Sequence, residues 1–185
     1  YQEKVAQFFR ELGCFADVEV VVQGARAKHR IDVWVVFTRF GLQHRWVIEC
    51  KEWKSPVTKE KVLTLKSVME DVGADRGILV ADSGFQPGAF DAATSTNISL
   101  TTFDELRARA KGDFYSARLE RLDRKIAYLQ EEAHDLYVTE ETGPGSWTSS
   151  PRPGVDGGRY FEVMGKLSIL EMGSKRVKLG QFPVP

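Results

Sequence analysis

The stretch that decides the fold is residues 30–54, which read RIDVWVVFTRFGLQHRWVIECKEWK. It holds two apolar runs separated by a turn at residues 40–43, and this arrangement predicts a β-hairpin. The first run has the two-residue period of a strand, and the residues predicted to share one face are Ile31, Val33, Val35 and Phe37. Asp32 shares the opposite face with Trp34 and Val36. An acidic residue is therefore set inside an apolar strand.

The second apolar run ends in Glu49-Cys50-Lys51, where alternation places Glu49 and Lys51 on one face. A hairpin of the two strands brings Asp32 to that same face. A carboxylate buried without a partner costs several kcal/mol, so a cluster of this kind normally binds a cation or titrates. A salt bridge of Lys51 with either carboxylate is the alternative, and it leaves the other acid unexplained.

Asp32 followed by Glu49-Cys50-Lys51 resembles the motif of the PD-(D/E)xK nuclease superfamily. Five segments together make the chain similar to the Mrr-type restriction endonuclease domain over about residues 1–110. Two of them contain the motif residues, IDVW (31–34) and IECKEWK (48–54), and three follow, GADRGILV (73–80), GFQPGA (84–89) and NISL (97–100). The resemblance implies an α/β fold with a restriction-endonuclease-like mixed sheet flanked by helices and an αβββαβ core. It also implies a metal-dependent endonuclease that hydrolyses DNA phosphodiester bonds in a restriction or defence role.

The resemblance assigns roles to residues at the motif positions. Asp32 and Glu49 are hard oxygen ligands suited to Mg²⁺, with Mn²⁺ as a substitute, and the main-chain carbonyl of Cys50 completes the set. Lys51 polarises the attacking water and stabilises the transition state. In many relatives the first helix adds an acidic catalytic ligand, for which Glu3 is the candidate. The alternative for Glu3 is an exposed charge that complements the helix dipole.

Basic residues surround this motif although the formal net charge of the chain is zero. Residues 26–61 contain nine Lys or Arg and four Asp or Glu. A basic surround is expected where a polyanion must reach bound metal, and a solvated charged face is the ordinary alternative. The residues predicted to contact DNA are Arg26, Lys28, His29 and Arg30, on the loop before Asp32, and Lys54 after the second strand.

The periodicity along residues 1–110 predicts the order α-β-β-β-α-β-α-β-α. Three meandering strands followed by βα crossovers give a mixed sheet with helices on both faces. The predicted elements are a helix at 2–12, strands at 18–22, 31–37 and 46–51, a helix at 58–72, a strand at 77–81, a helix at 87–93, a strand at 98–100 and a helix ending at 110.

The composition changes after residue 112, which predicts a nuclease domain at 1–112 and an extension at 113–185. Apolar residues at heptad spacing predict a long helix at 113–137, which either packs within its own chain or pairs two subunits as a homodimer. Residues 142–158 are rich in Gly, Pro and Ser and are predicted to form a mobile loop or linker. Residues 166–179 are predicted to form a β-hairpin centred on Gly173-Ser174.

The two cysteines, Cys14 and Cys50, provide no disulfide framework and no zinc spacing, which fits a cytoplasmic protein. No apolar run approaches the length that spans a bilayer, so no membrane partner is expected. Because the chain lacks an initiating Met, we expect a piece of a longer protein. Two rival functions stay open: an inactive nucleic-acid-binding module of the same fold, and a junction-resolving nuclease. The intact set of Asp32, Glu49 and Lys51 argues against the first.

Overall fold

The structure is a computed structural model that describes residues 1–52 and 55–180. The chain divides into two compact units, Tyr1–Phe114 and Tyr115–Pro185. The elements of the first unit, in chain order, are α1 (Gln2–Glu11), β1 (Phe15–Gln23), β2 (Lys28–Arg39), β3 (Leu42–Lys51), α2 (Lys59–Asp71), β4 (Arg76–Ala81), α3 (Pro87–Ala93), β5 (Ile98–Thr101) and α4 (Phe103–Arg109).

One sheet organises the first unit, with the strands in the order β1-β2-β3-β4-β5. The first three strands are antiparallel neighbours, and β3, β4 and β5 run parallel. Parallel neighbours need a crossover, and α2 and α3 lie in the two connections of this kind. This arrangement confirms the predicted element order and the mixed sheet.

Two apolar cores cover the two faces of the sheet. The α1-side core contains residues of α1, α4 and the inner strands, such as Phe9, Val33 and Cys50. The α2-side core contains residues of α2 and the neighbouring strands, such as Leu65 and Val47. Successive residues of β3 therefore alternate between the cores, which is the period of two expected for a strand buried on both faces.

Capping and turn residues mark the ends of several elements. Gly13 follows α1 with φ +86°, a left-handed conformation that glycine adopts without steric cost. Pro87 begins α3, and Thr102 caps α4 in a capping box with Glu105. The β2–β3 hairpin turns at Phe40 and Gly41, both with positive φ.

Two predictions for the β1–β2 hairpin are wrong. Lys28, His29 and Arg30 do not lie on a loop, because β2 begins at Lys28 and pairs with β1 as far as Gln23. Ile31 does not share a core with Val33, since Ile31 is buried in the α2-side core and Val33 in the α1-side core. The second difference coincides with a left-handed residue in the facing strand, Glu19 with φ +53°.

The second unit contains most of α5 (Lys111–His134), followed by β6 (Tyr137–Gly143), β7 (Ser146–Pro151) and α6 (Gly157–Lys178). The predicted long helix is thus present as α5. Within the unit, Gln130 Nε2 of α5 donates a hydrogen bond to Glu171 Oε2 of α6 at 3.1 Å. Lys178 of α6 forms an ion pair with Asp123 of α5. The two helices therefore pack in opposite directions.

The hairpin of the extension lies earlier than predicted. Residues 137–151 form the antiparallel β6–β7 pair, joined at Pro144-Gly145, in the region predicted to be a mobile loop. Residues 166–178, predicted as a hairpin, lie in α6 instead. Leu167 and Ser174 are both buried, and their seven-residue spacing places them on one helical face. Gly173 was a misleading turn signal, because a helix tolerates one glycine at a cost of about 1 kcal/mol.

None of the helices in the described ranges is long and apolar enough to cross a membrane.

Candidate active site

The candidate site lies where β2 and β3 pair near the C-terminal end of β3. The antiparallel register pairs Val33 with Ile48, so Asp32 falls opposite Glu49. On its other side β3 pairs in parallel with β4, with Lys51 beside Ala81. The strand that holds Glu49 and Lys51 thus has an antiparallel neighbour on one edge and a parallel neighbour on the other. Adjacent positions on the paired strands β2 and β3 can therefore present polar side chains at the same end of the sheet.

The three motif side chains are held by short contacts. The main-chain N–H of Cys50 donates a hydrogen bond to Asp32 Oδ2 at 2.8 Å. Lys51 Nζ forms an ion pair with Glu49 Oε1. Both partners of this ion pair are partly buried, with 15% of the Lys51 side chain and 30% of the Glu49 side chain exposed. In each contact one carboxylate oxygen is the partner, Oδ2 of Asp32 and Oε1 of Glu49.

Cys50 lies between the two catalytic candidates in sequence, and its thiol points to the other face of the sheet. The thiol packs in the α1-side core. Burial raises the pKa of Cys50 to about 12, and the negative charges of Asp32 and Glu49 add to this shift. The thiol is therefore neutral near pH 7, and this neutral state argues against a nucleophilic role.

The structure does not bring Glu3 to this site. Its carboxylate, in the first turn of α1, forms an ion pair with Arg10 at 2.5 Å, and 65% of the side chain is exposed. Arg10 is fixed in turn, because its Nε donates a hydrogen bond to the carbonyl of Ala16 at 2.7 Å. Across residues 1–52 and 55–180, no three His, Cys, Asp or Glu side chains stand close enough to share a metal ion. The assignment of Glu3 as a third ligand stays a prediction.

The donor set nevertheless fits Mg²⁺. This ion prefers oxygen ligands and usually binds proteins through one or two carboxylates while keeping several waters. Asp32 and Glu49 supply two carboxylates on adjacent strands, and the carbonyl of Cys50 is the further oxygen predicted from the motif. The thiol of Cys50 is excluded from the set by its orientation.

The basic residues predicted to contact DNA fall into two groups. Lys28 and Arg30 are exposed on β2, and Arg30 Nη2 lies 2.5 Å from Glu19 Oε2 of β1. Arg26 and His29 instead contact Asp71 at the end of α2, both at 2.7 Å. Lys54, the fifth predicted contact, and its neighbour Trp53 lie outside the described residues.

Asp71 is the residue that the sequence analysis missed. Only 3% of its side chain is exposed, and its two oxygens accept four hydrogen bonds, two from Arg26, one from Ala27 and one from His29. The guanidinium of Arg26, followed by His29, holds the pKa of this carboxyl well below its usual range. A signal was present, since Asp71 stands between the apolar residues Met69 and Val72 in the last turn of a helix, where the dipole disfavours an acid.

Comparison with known proteins gives one family. Residues 1–110 match the family model of the Mrr catalytic domain, described as "Restriction endonuclease". Together with the mixed sheet flanked by helices, this match confirms the predicted resemblance and the restriction-endonuclease-like fold. No curated protein matches the chain.

Two solved structures are similar to the chain. A protein of unknown function, AF1548, has 25% sequence identity and a TM-score of 0.49, and the match covers 56% of each chain. The DNA modification-dependent restriction endonuclease AspBHI has 16% identity and a TM-score of 0.44, with 60% of this chain and 30% of that chain covered. This chain spans little more than half the length of the first structure and less than a third of the second.

Proposed function

Because the chain belongs to the Mrr-type restriction endonuclease family and residues 1–110 form its nuclease domain, we propose that it is a Mg²⁺-dependent endonuclease that hydrolyses phosphodiester bonds of DNA. The observation that supports this proposal is that the main-chain N–H of Cys50, between Glu49 and Lys51 in sequence, donates a hydrogen bond to Asp32, while Lys51 forms an ion pair with Glu49. We assign this activity to residues 1–112 and treat 113–185 as an accessory extension. We also propose that the protein takes part in restriction and that it acts in the cytoplasm.

Each residue of the site has a distinct task in the proposed reaction. Asp32 and Glu49 hold the ion, and the carbonyl of Cys50 is a further ligand. The bound ion supplies charge neutralisation at the phosphate and activation of water. Lys51, now paired with Glu49, donates to the attacking water or to a phosphate oxygen and so stabilises charge that develops in the transition state. Exposed Lys28 and Arg30 lie on the strand that carries Asp32 and contact the DNA backbone.

The test of this function is cleavage of plasmid DNA, methylated and unmethylated, by the purified protein with Mg²⁺, with Mn²⁺ or with EDTA. We expect nicked or linear products only when a divalent ion is present. Glu49→Ala is the matched control for contaminating nuclease. Cleavage that persists in EDTA, or in the Glu49→Ala sample at the parent rate, would refute the proposal.

We also propose that the protein pairs with a second copy through residues 113–137. In α5 one apolar row, including Ile126 and Ala133, is buried. A second apolar row of α5, Leu122 and Leu129 at seven-residue spacing, is 38–41% exposed, and Leu136 follows in the turn after the helix. Two copies would bury these rows against each other, as in a four-helix bundle. Sedimentation of the parent and Leu129→Glu tests this: the parent should be a dimer that the charge dissociates, and a monomeric parent would overturn the proposal.

A further inference from the structure

The outer end of the β1–β2 hairpin is turned relative to the rest of the sheet. Residues two apart on a strand normally point to the same face. Yet Val33 is buried in the α1-side core and Ile31 in the α2-side core. The partner strand shows the same change, since Val18 packs against the α1-side core and Val22 against the α2-side core. Both strands therefore switch faces over the same short segment.

Asp32 lies at this switch. The register pairs Val18 with Val33 and Val20 with Ile31, so Glu19 stands opposite Asp32. Glu19 has φ +53°, a left-handed conformation that is uncommon for a glutamate and rarer still within a strand. Such a conformation persists where the surrounding structure holds it, and it is often found at functional sites.

The contacts that hold the outer end come from Asp71. We define the hairpin tip as residues 24–29. Besides the four hydrogen bonds to its side chain, the main-chain carbonyl of Asp71 accepts a hydrogen bond from Ala25 N at 2.9 Å. Gly24 allows this close approach, because a Cβ there would lie 2.2 Å from Asp71 Oδ2. The tip is thus fastened to the C-terminal turn of α2 by one buried carboxylate.

From this geometry we infer that Asp71 is a positioning residue: by fastening the hairpin tip to α2, it maintains the left-handed backbone at Glu19 and the orientation of the Asp32 carboxylate toward Cys50 N, next to Glu49. Asp71 touches neither motif carboxylate and acts through the strand. As far as metal binding is concerned, the inference rests on the proposed function. The other part of the inference, the orientation of Asp32, can be measured without metal through the hydrogen bond from Cys50 N to Asp32 Oδ2.

A second aspartate provides the matched control. Asp75 also fastens a strand, since its Oδ2 accepts a hydrogen bond from Arg45 N at 2.7 Å. This contact lies near the other end of β3, four residues from Glu49. Replacing either aspartate by alanine removes side-chain hydrogen bonds to main-chain N–H groups, so both variants should unfold at lower temperature. Only the Asp71 variant should disturb Asp32.

The experiment compares the parent, Asp71→Ala, the milder Asp71→Asn and Asp75→Ala by calorimetric titration with Mn²⁺ and by hydrogen exchange of the Cys50 amide without metal. We expect Asp71→Ala to weaken Mn²⁺ binding by about tenfold or more and to speed Cys50 exchange, with Asp71→Asn between it and the parent. Asp75→Ala should match the parent in both measurements. If Asp71→Ala does not fold, the comparison of Asp71→Asn with Asp75→Ala decides.

The possible failures are distinguishable. Parent-like Mn²⁺ affinity together with parent-like Cys50 exchange in the Asp71 variants would overturn the positioning role. Equal disturbance of Cys50 exchange in Asp75→Ala would also overturn it, because the effect would then reflect stability alone. If the parent and Asp32→Ala bind Mn²⁺ equally, the metal site is wrong, and Cys50 exchange still decides whether Asp71 orients Asp32.

Discussion

Asp32 and Asp71 are both partly or fully buried acids near the β1–β2 hairpin, yet their surroundings differ. Asp71 uses both oxygens in four hydrogen bonds, two of them from basic side chains. Asp32 accepts the hydrogen bond of Cys50 N on Oδ2 and lies beside a second carboxylate, Glu49, whose partner is Lys51. Asp71, whose two oxygens both accept hydrogen bonds from the protein, has a structural role. The neighbouring carboxylates of Asp32 and Glu49 instead favour binding of a cation.

The largest expected effect sharpens this comparison at the motif. Asp32→Ala and Glu49→Ala should each reduce Mg²⁺-dependent cleavage by about a thousandfold or more, because each removes a ligand of the ion. Neither should unfold the protein, because relief of repulsion between the acids offsets the lost contact with Cys50 N or Lys51, and the melting temperature without metal should stay close to that of the parent. Initial cleavage rates and melting curves measure both effects. A variant that cleaves at nearly the parent rate contradicts the assignment.

The next effect separates catalysis from binding. Lys51→Ala should lower turnover by about a hundredfold while leaving DNA affinity close to that of the parent, since Lys51 is assigned to the transition state. Single-turnover cleavage and gel-shift titration in Ca²⁺ give the two quantities. Lys61→Ala, on α2, is a control for loss of one positive charge. An affinity loss as large as the rate loss would count against this role.

The hydrogen bonds of Asp71 should instead make the free energy of unfolding depend on pH. Its pKa is lowered on folding by Arg26 and then by His29, so the ionised form stabilises the folded state. This contribution is present above the pKa of an unfolded aspartate, about 4, and is lost as the pH falls toward the lower folded value. The parent should therefore be more stable than Asp71→Asn near pH 7, with a gap that narrows in acid. Urea midpoints across this range measure it, and a gap that widens in acid refutes the linkage.

The smallest effect concerns the exposed basic residues. Lys28→Ala and Arg30→Ala should each weaken binding to two unrelated duplexes alike and reduce the slope of affinity against salt by about one unit. Arg26→Ala should change the slope less, because Arg26 is bound to the buried carboxylate of Asp71, whereas the Glu19 partner of Arg30 is half-exposed and can be displaced by phosphate. Affinities over a range of salt test all three. Unchanged slopes for Lys28→Ala and Arg30→Ala would remove this strand from the DNA contact, and a loss confined to one duplex would mean that it reads sequence.

Local patterns predicted most of the first unit, because strand alternation and helical spacing both report on a nearby core. They could not predict the face switch at Ile31, which depends on the left-handed Glu19 and on contacts of the hairpin tip with Asp71, 42–47 residues along the chain. The positions of Asp32, Glu49 and Lys51 could be predicted because all three lie within one hairpin. The contact of Arg26 with Asp71 could not be predicted, since contacts between residues so far apart in the chain depend on how α2 packs.

Sequence patterns predicted the extension at 113–185 less well than the first unit. The heptads of α5 were readable because a long helix has one repeated signal. In α6, Gly173-Ser174 was interpreted as a hairpin turn, while Leu167 and Ser174 are both buried at the seven-residue spacing of one helical face. Pro144-Gly145 was interpreted as part of a mobile loop and is the turn of the β6–β7 pair.

The central claim is that Asp32 and Glu49 hold a divalent ion, and calorimetric titration with Mn²⁺ tests it most directly. We predict that the parent binds Mn²⁺ and that Asp32→Asn and Glu49→Gln, which keep the shape of the side chains and remove their charge, each bind at least about tenfold more weakly. Asp75→Asn, which neutralises an acid that accepts a hydrogen bond from Arg45 N near the other end of β3, should bind like the parent. Equal affinity in the parent and in both motif variants would contradict the account.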